Sequence, residues 1–299
     1  MIIPSKLTRG DKIGIISTAR KISLEELSPA INTLESWGLE VVLAENLFEE
    51  DNQFAGAVKQ RTTDLQSMIN NDKIKAILCA RGGYGTVQII DNIDFTNLKK
   101  NPKWIVGYSD VTVLHSHLHN LGVASMHATM PKNFATNTKD ALKSLKKSLF
   151  REETIVECDP HPFNKKGRIE AEIVGGNLSI LYSLLGSDSD IDTDGKILFM
   201  EDLDEYLYHI DRMIMNLKRN GKFENLKALI VGGMSDMHDN DIPFGKTAEQ
   251  IILEHTKDYD FPICFGFPAG HINDNSAIVF GVKSLLEISA KKVRLTYPY

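Results

Sequence analysis

The sequence predicts an α/β fold in two parts: a mostly parallel sheet in the N-terminal half, then a mixed α/β half with antiparallel strands. Three observations carry that reading. Short β-rich apolar runs alternate with helix-periodic segments through the first 119 residues. A turn-rich, charged stretch, DPHPFNKKG at 159–167, interrupts the chain and reads as a linker. The chain then closes on three alternating apolar/polar runs, as half-buried antiparallel strands require.

Taken in order, residues 12–17 (KIGIIS) form the first expected strand and 24–37 a helix with one apolar stripe. Residues 39–43 (LEVVL) are the next strand, 60–70 a helix, 76–79 (AILC) a strand, and 86–90 the start of another helix. Residues 104–106 (WIV) read as a buried strand feeding a helix that runs through His119. Repeated strand–helix–strand units give a parallel sheet, whose ligands sit at the carboxyl ends of the strands. A helix at 141–150 ends a first domain, 1–158. In the second domain, 168–299, the pattern predicts helices at 177–185 and 206–220 and strands at 196–200, 228–231 and 263–267. The closing antiparallel runs are 276–282, 284–288 and 293–297.

Bulk properties narrow the function classes. A chain of 299 residues, 42% hydrophobic and 25% charged, has apolar material for two cores. Its net charge of −6, from 34 basic and 40 acidic residues without long single-sign blocks, argues against nucleic acid or an acidic membrane as partner. Cys79, Cys158 and Cys264 are scattered and lie mostly in apolar runs, the pattern of reduced core residues. The opening MIIPSKLTRGDKIGIIS lacks a signal-peptide pattern, and no apolar run reaches the roughly 18 residues of a membrane span. The expectation is a cytoplasmic protein.

Two stretches at expected strand ends carry the chemistry. In CARGGYGTVQ, from Cys79 to Gln88, Gly82, Gly83 and Gly85 let backbone approach a ligand, and their N–H groups can form an anion-binding nest. The stretch lacks both Walker A and dinucleotide spacing, and Arg81 beside it points to an anionic ligand. In WIVGYSDVTVLHSHL, Ser109 occupies a strand–turn–helix bend with Gly107 two residues before it. Val111 replaces the second glycine of a nucleophile elbow, so the serine can equally be a helix N-cap, as can Asp110.

A nucleophilic serine needs a base and a group that orients the base. His271 follows the expected strand 263–267 in GFPAGHIND, and Glu201 is the first charge after the strand in KILFMEDLDEYLYHIDRM. Asp202, Asp204 and Glu205 are competing carboxylates, and spacing does not choose among the four. His115, His117 and His119 lack the accompanying carboxylate of a zinc motif, so no metal is expected. The polar stretch 234–241 (MSDMHDND) reads as a loop.

Together these pieces resemble the LD-carboxypeptidases of peptidase family S66, which includes the microcin C immunity peptidases. The matching residues are Gly10 to Ile15, Arg81-Gly82-Gly83-Tyr84-Gly85, Gly107-Tyr108-Ser109-Asp110, Gly175-Gly176-Asn177-Leu178-Ser179, Glu201-Asp202 with Asp211-Arg212, and Gly266 to His271, in the family's order. The family's usual His-Gly-Pro-Met stands here as His127-Ala128-Thr129-Met130. The resemblance implies a flavodoxin-like N-terminal domain, and an active site between the domains. It makes Ser109 the nucleophile, His271 the base and Glu201 its orienting carboxylate. It also implies a small-peptide substrate, a murein tetrapeptide losing its terminal D-alanine in peptidoglycan recycling, with no cofactor and a homodimeric assembly. On that reading Gly83 and Asp110 N–H groups are the expected oxyanion hole, and Arg81 with Gly82 the substrate-carboxylate grip. Two other readings stay open: a microcin-immunity-like hydrolase of peptidyl or aminoacyl nucleotides, and a phosphate-binding kinase or ligand-binding protein using the Arg81-Gly82-Gly83 loop.

Overall fold

The computed structural model describes residues 1–297, so the last two residues of the expected second domain lie outside it. In chain order the strands are β1 (Lys12–Ile16), β2 (Glu40–Leu43), β3 (Ile74–Cys79), β4 (Trp104–Gly107), β5 (Ser125–His127), β6 (Ile155–Cys158) and β7 (Gly167–Asn177). They continue as β8 (Ile197–Leu203), β9 (Ala228–Ser235), β10 (Ile263–Cys264), β11 (Ile278–Phe280), β12 (Lys283–Ile288) and β13 (Val293–Thr296). The helices are α1 (Leu24–Ser36), α2 (Val58–Asn70), α3 (Thr96–Lys100), α4 (Thr112–Asn120), α5 (Lys139–Phe150), α6 (Leu178–Leu184), α7 (Leu207–Arg219) and α8 (Ala248–Thr256).

Six strands form the first sheet, in the order β11-β5-β4-β3-β1-β2. β1 to β5 pair in parallel, and β11 joins the β5 edge antiparallel. β3 and β4 are buried almost throughout, which is why their sequences read as continuous apolar runs and not as alternation. The second sheet has seven strands, β10-β9-β8-β7-β12-β13-β6. Its β10 to β7 side is parallel and its β7 to β6 side antiparallel.

Local chemistry sets the helix ends. Ser23 and Glu26 form a reciprocal capping box on α1, Thr247 and Gln250 do so on α8, and Thr138 caps α5. In α7, Ile210, Met213, Ile214 and Leu217 recur at helical spacing and face the core. One continuous apolar cluster joins first-sheet residues such as Ile15 and Val106 to Ile173, Phe199 and Phe267 of the second half. The two sheets are therefore packed on a shared core, and the cleft between them has fixed walls.

Four local expectations differ from the structure. Residues 86–90 form 3₁₀ turns, Thr86–Gln88 and Ile90–Asn92, because the run is too short to propagate an α-helix and closes i→i+3 bonds instead. Of 263–267 only Ile263–Cys264 is in the ladder, since Gly266 takes φ +67° and Pro268 has no N–H. The run 276–282 supplies β11, which pairs with β5 in the first sheet. Conversely β6, within the expected first domain, pairs with β13 in the second. The long strand β7 was not expected: its first half alternates exposed and half-buried residues while its second half is fully buried, so no single period describes it.

Candidate active site

The carboxyl ends of β1, β3, β4 and β5 open on one cavity of about 520 Å³, closed on its far side by residues following β7, β8 and β10. Its lining includes Arg81, Gly82, Gly83, Ser109 and His271. The strand-end rule for parallel sheets thus brings these five expected residues together.

Ser109 follows β4 through Tyr108 and begins a 3₁₀ turn, Ser109–Val111, that leads into α4. Its φ is +63°, a left-handed conformation that costs a non-glycine residue about 1–2 kcal/mol. The hydroxyl caps nothing: neither the 3₁₀ turn nor α4 has a side-chain cap. That rules out the N-cap alternative, and a strained serine at a strand end is what a nucleophile elbow demands. The neighbouring loop fits closely, since a Cβ on Gly82 would lie 2.9 Å from Ser109 Cβ and 3.0 Å from its Oγ. Only glycine leaves the serine unobstructed there.

On the opposite wall Glu201 Oε2 accepts from His271 Nδ1 at 2.7 Å and from the His271 backbone N–H at 3.0 Å. Glu201 lies within the buried run of β8, which extends from Ile197 to Asp202, and is itself fully buried. The loop after β10 approaches it closely because residue 270 is glycine: with φ +108°, a Cβ there would stand 2.7 Å from Glu201 Cβ, Cγ and Oε2. With Nδ1 committed to the carboxylate, Nε2 is the ring nitrogen left for the cavity. Tyr108 packs edge-on against the same ring, centroids 4.8 Å apart. No hydrogen bond joins Ser109 to His271 among the described residues, though both line the cavity.

Residues 13–128 match the LD-carboxypeptidase N-terminal domain, and residues 170–286 match the LD-carboxypeptidase C-terminal domain. A probable murein peptide carboxypeptidase of Bacillus subtilis is 36% identical over 96% of this chain and 92% of its own length. The chain belongs to the LD-carboxypeptidase family, peptidase family S66. The crystal structure of muramoyltetrapeptide carboxypeptidase from Oxalobacter formigenes superposes with a TM-score of 0.88 at 28% identity, over 96% of this chain and 99% of that one. The microcin C7 self-immunity protein MccF of Escherichia coli is a more distant relative, 23% identical over 100% of this chain and 96% of its own length. The protein is accordingly a serine-type peptidase, and the kinase or ligand-binding reading of the Arg81-Gly82-Gly83 loop is set aside.

Within this LD-carboxypeptidase, burial by itself lowers the His271 pKa, but the charge and hydrogen bond of Glu201 and the charge of Asp202 together outweigh it. The imidazole therefore titrates above its ordinary value. Asp202 is pushed up to about 7, first by burial and then by the Glu201 charge. Its carboxylate accepts from Asn177 Nδ2 at 2.8 Å and from Ser179 N at 2.8 Å, while one edge lines the cavity.

The remaining expected residues fall as follows. Asp110 is buried below the cavity, where its carboxylate serves a different element, accepting from Thr86 N at 2.8 Å. The Gly83 and Asp110 N–H groups donate to no protein acceptor among the described residues. Arg81 lines the cavity with one donor spent on Lys21 O at 3.0 Å. Asp204 pairs with His238 and Glu205 with His209, so both have other partners than His271. The histidines of α4 diverge: His115 bonds Ser125 and Gly107, His117 bonds Ser189, and His119 pairs with Glu172. Thr129 Oγ1 donates to Asn275 O, tying the His127-Ala128-Thr129-Met130 turn to the loop that carries His271.

Sequence reasoning missed Arg20 and Lys132. Arg20 lies after β1 with its stem across Gly83, and Lys132, paired with Glu26, lies after β5; both line the cavity. The strand-end rule, applied to the first and fifth strands as it was to the third and fourth, would have found them.

Proposed function

We propose that this peptidase removes the terminal D-alanine from murein tetrapeptides, with Ser109 as nucleophile, His271 as general base and then acid, and Glu201 as the group that orients and stabilises the imidazolium. The observation that carries the reading is the His271 Nδ1–Glu201 Oε2 contact of 2.7 Å, across one cavity from a serine held at φ +63°. Ser109 attacks the amide carbonyl as His271 Nε2 takes its proton; the proton then goes to the departing amine, and water repeats the cycle on the acyl-enzyme. The Gly83 and Asp110 N–H groups stabilise the tetrahedral oxyanion, a donor of this kind contributing about 2.7–4 kcal/mol. Arg81, joined by Arg20 and Lys132, gives the cavity a cationic rim suited to the substrate's terminal carboxylate. The murein assignment draws on the named activities of the Bacillus and Oxalobacter relatives. A place in peptidoglycan recycling, a cytoplasmic location and a homodimer complete the proposal. No helix among the described residues is long and apolar enough to cross a membrane.

The deciding experiment incubates the purified protein with murein tetrapeptide in EDTA and follows the products by mass spectrometry. Tripeptide plus free alanine is expected. No tripeptide, together with cleavage of an aminoacyl sulfamoyl nucleotide, would transfer the assignment to the microcin-immunity branch. Loss of turnover in EDTA would remove the metal-independent mechanism.

The acid limb of kcat/KM is expected to follow His271, which must be neutral to act as base, and so to lie above the ordinary imidazole range. Asp202→Asn removes one of the charges that raise this pKa, so the limb should move to lower pH. The same raised value means that the Glu201–His271 pair stabilises the fold fully below the unfolded imidazole pKa and loses that contribution as pH rises through the folded one. A pH–rate profile over about pH 5–9 checks the sign. An unmoved limb in Asp202→Asn would show that the Asp202 charge does not raise the His271 pKa.

A further inference from the structure

Beneath the cavity lies a buried polar network that the proposed chemistry does not use. Arg61, on α2, is 2% exposed and outside the cavity lining, yet four of its donor contacts go to the surrounding loops and turns. Nη1 donates to Gly85 O at 3.0 Å and Thr18 O at 2.9 Å, Nε to Gly56 O at 3.3 Å, and Nη2 to Gln88 Oε1 at 2.8 Å. The fit requires glycine at 85, with φ +151°, because a Cβ there would lie 2.7 Å from Arg61 Nη1. From the other side Asp110, the residue after Ser109, accepts from Thr86 N at 2.8 Å, and Thr86 Oγ1 donates to Thr18 Oγ1 at 2.8 Å.

These contacts converge on one short segment. Gly82 to Gly85 contains two residues at positive φ, Gly83 at +115° and Gly85 at +151°. Glycine backbone is the least ordered in isolation, so such a loop has many conformations unless something holds it. What holds it is the nucleophile's own neighbour: Asp110 grips Thr86, three residues from Gly83, while Arg61 grips Gly85 from below. The two N–H groups assigned to the oxyanion, on Gly83 and Asp110, are thereby linked through a path of four residues and one hydrogen bond.

We propose that the Asp110 carboxylate and Arg61 are positioning residues that hold the Gly83 N–H in register with Ser109, so that the oxyanion site is assembled before substrate arrives. The inference rests on Ser109 being the nucleophile and the two N–H groups being its oxyanion donors. Neither side chain touches substrate. Preorganised donors matter only where charge develops, so their loss falls on the transition state and leaves ground-state binding alone.

The test compares Asp110→Ala, Asp110→Asn and Arg61→Gln with wild type. It measures kcat and KM on murein tetrapeptide, the rate of Ser109 phosphonylation by a fluorophosphonate, and thermal unfolding. Phosphonylation forms a Ser109 O–P bond and expels fluoride, so it needs the same oxyanion donors without needing the peptide. In Asp110→Ala kcat should fall about 100-fold with KM within about twofold, and phosphonylation should slow in parallel. Asp110→Asn keeps an acceptor for Thr86 N–H and should stay within about tenfold of wild type. A folded Asp110→Ala with kcat within threefold of wild type overturns the proposal, as does an Asp110→Asn that falls as far as the alanine variant. If Asp110→Ala does not fold, Arg61→Gln decides: a kcat loss of about tenfold or more at unchanged KM supports positioning, and unchanged kcat overturns it. A wild-type enzyme inert to the fluorophosphonate, or a Ser109→Ala variant that still turns over, sinks the underlying nucleophile assignment and this inference with it.

Discussion

Ser109→Ala is expected to lose alanine release by about 10⁴- to 10⁶-fold while remaining folded. The rate loss follows from removing the atom proposed to attack the carbonyl from the strand end. The fold should survive because the Ser109 hydroxyl caps no helix, and the local backbone is held by buried β4 before it and α4 after it. A companion variant sharpens the test. Ser109→Gly removes the nucleophile too, but relieves the left-handed strain at φ +63°, and should be more stable than Ser109→Ala by about 1 kcal/mol. Thermal unfolding of the pair measures the strain, and the tetrapeptide assay measures the chemistry. Turnover in Ser109→Ala above a few per cent of wild type would exclude it as nucleophile. A glycine variant no more stable than the alanine one would show that the bend carries no strain.

Glu201→Gln is expected to lower kcat by about 10⁴. The amide is nearly isosteric, so the buried site stays filled, but Glu201 Oε2 now accepts from both the His271 backbone N–H and Nδ1. A glutamine cannot serve both bonds with the same charge, and presenting its NH₂ to the ring would reverse the tautomer and leave Nε2 protonated, unable to take the Ser109 proton. It also removes the charge that stabilises the imidazolium. Asp204→Asn and Glu205→Gln disturb pairs with His238 and His209 and not the Glu201–His271 contact, and should change kcat little. The check is a set of kcat values for the three variants, with circular dichroism to establish folding. A comparable loss in all three would mean that general negative charge near the cavity, and not the Glu201 contact, supports catalysis.

Much of this protein was legible in its sequence, and the reasons are local. Unbroken apolar runs such as AILC and WIV identify parallel strands buried on both faces, and intervening helical periodicity makes their connections crossovers. Ser109, Glu201 and His271 each stand just beyond such a run, so the strand-end rule marks all three, and the ordered motifs point to the family. What lies outside local reach is whatever depends on non-local packing. Spacing left Glu201, Asp202, Asp204 and Glu205 open; the resemblance named Glu201, and the structure shows why adjacent carboxylates differ. Successive side chains of a strand point to opposite faces, and a register shift between Met200 and Asp202 accompanies the change: Glu201 is buried against His271, while Asp202 bonds Asn177 and lines the cavity. The left-handed turn at Ser109 has no glycine to announce it and is imposed by the elements on either side. β6 and β11 lie in sheets opposite to the half of the chain that carries them, because each completes an edge that its sequence neighbours do not reach. Residue order therefore determined the elements and the chemistry available at their ends; only tertiary packing, which joins groups 70 residues apart in the Glu201–His271 pair, decided which of those groups meet.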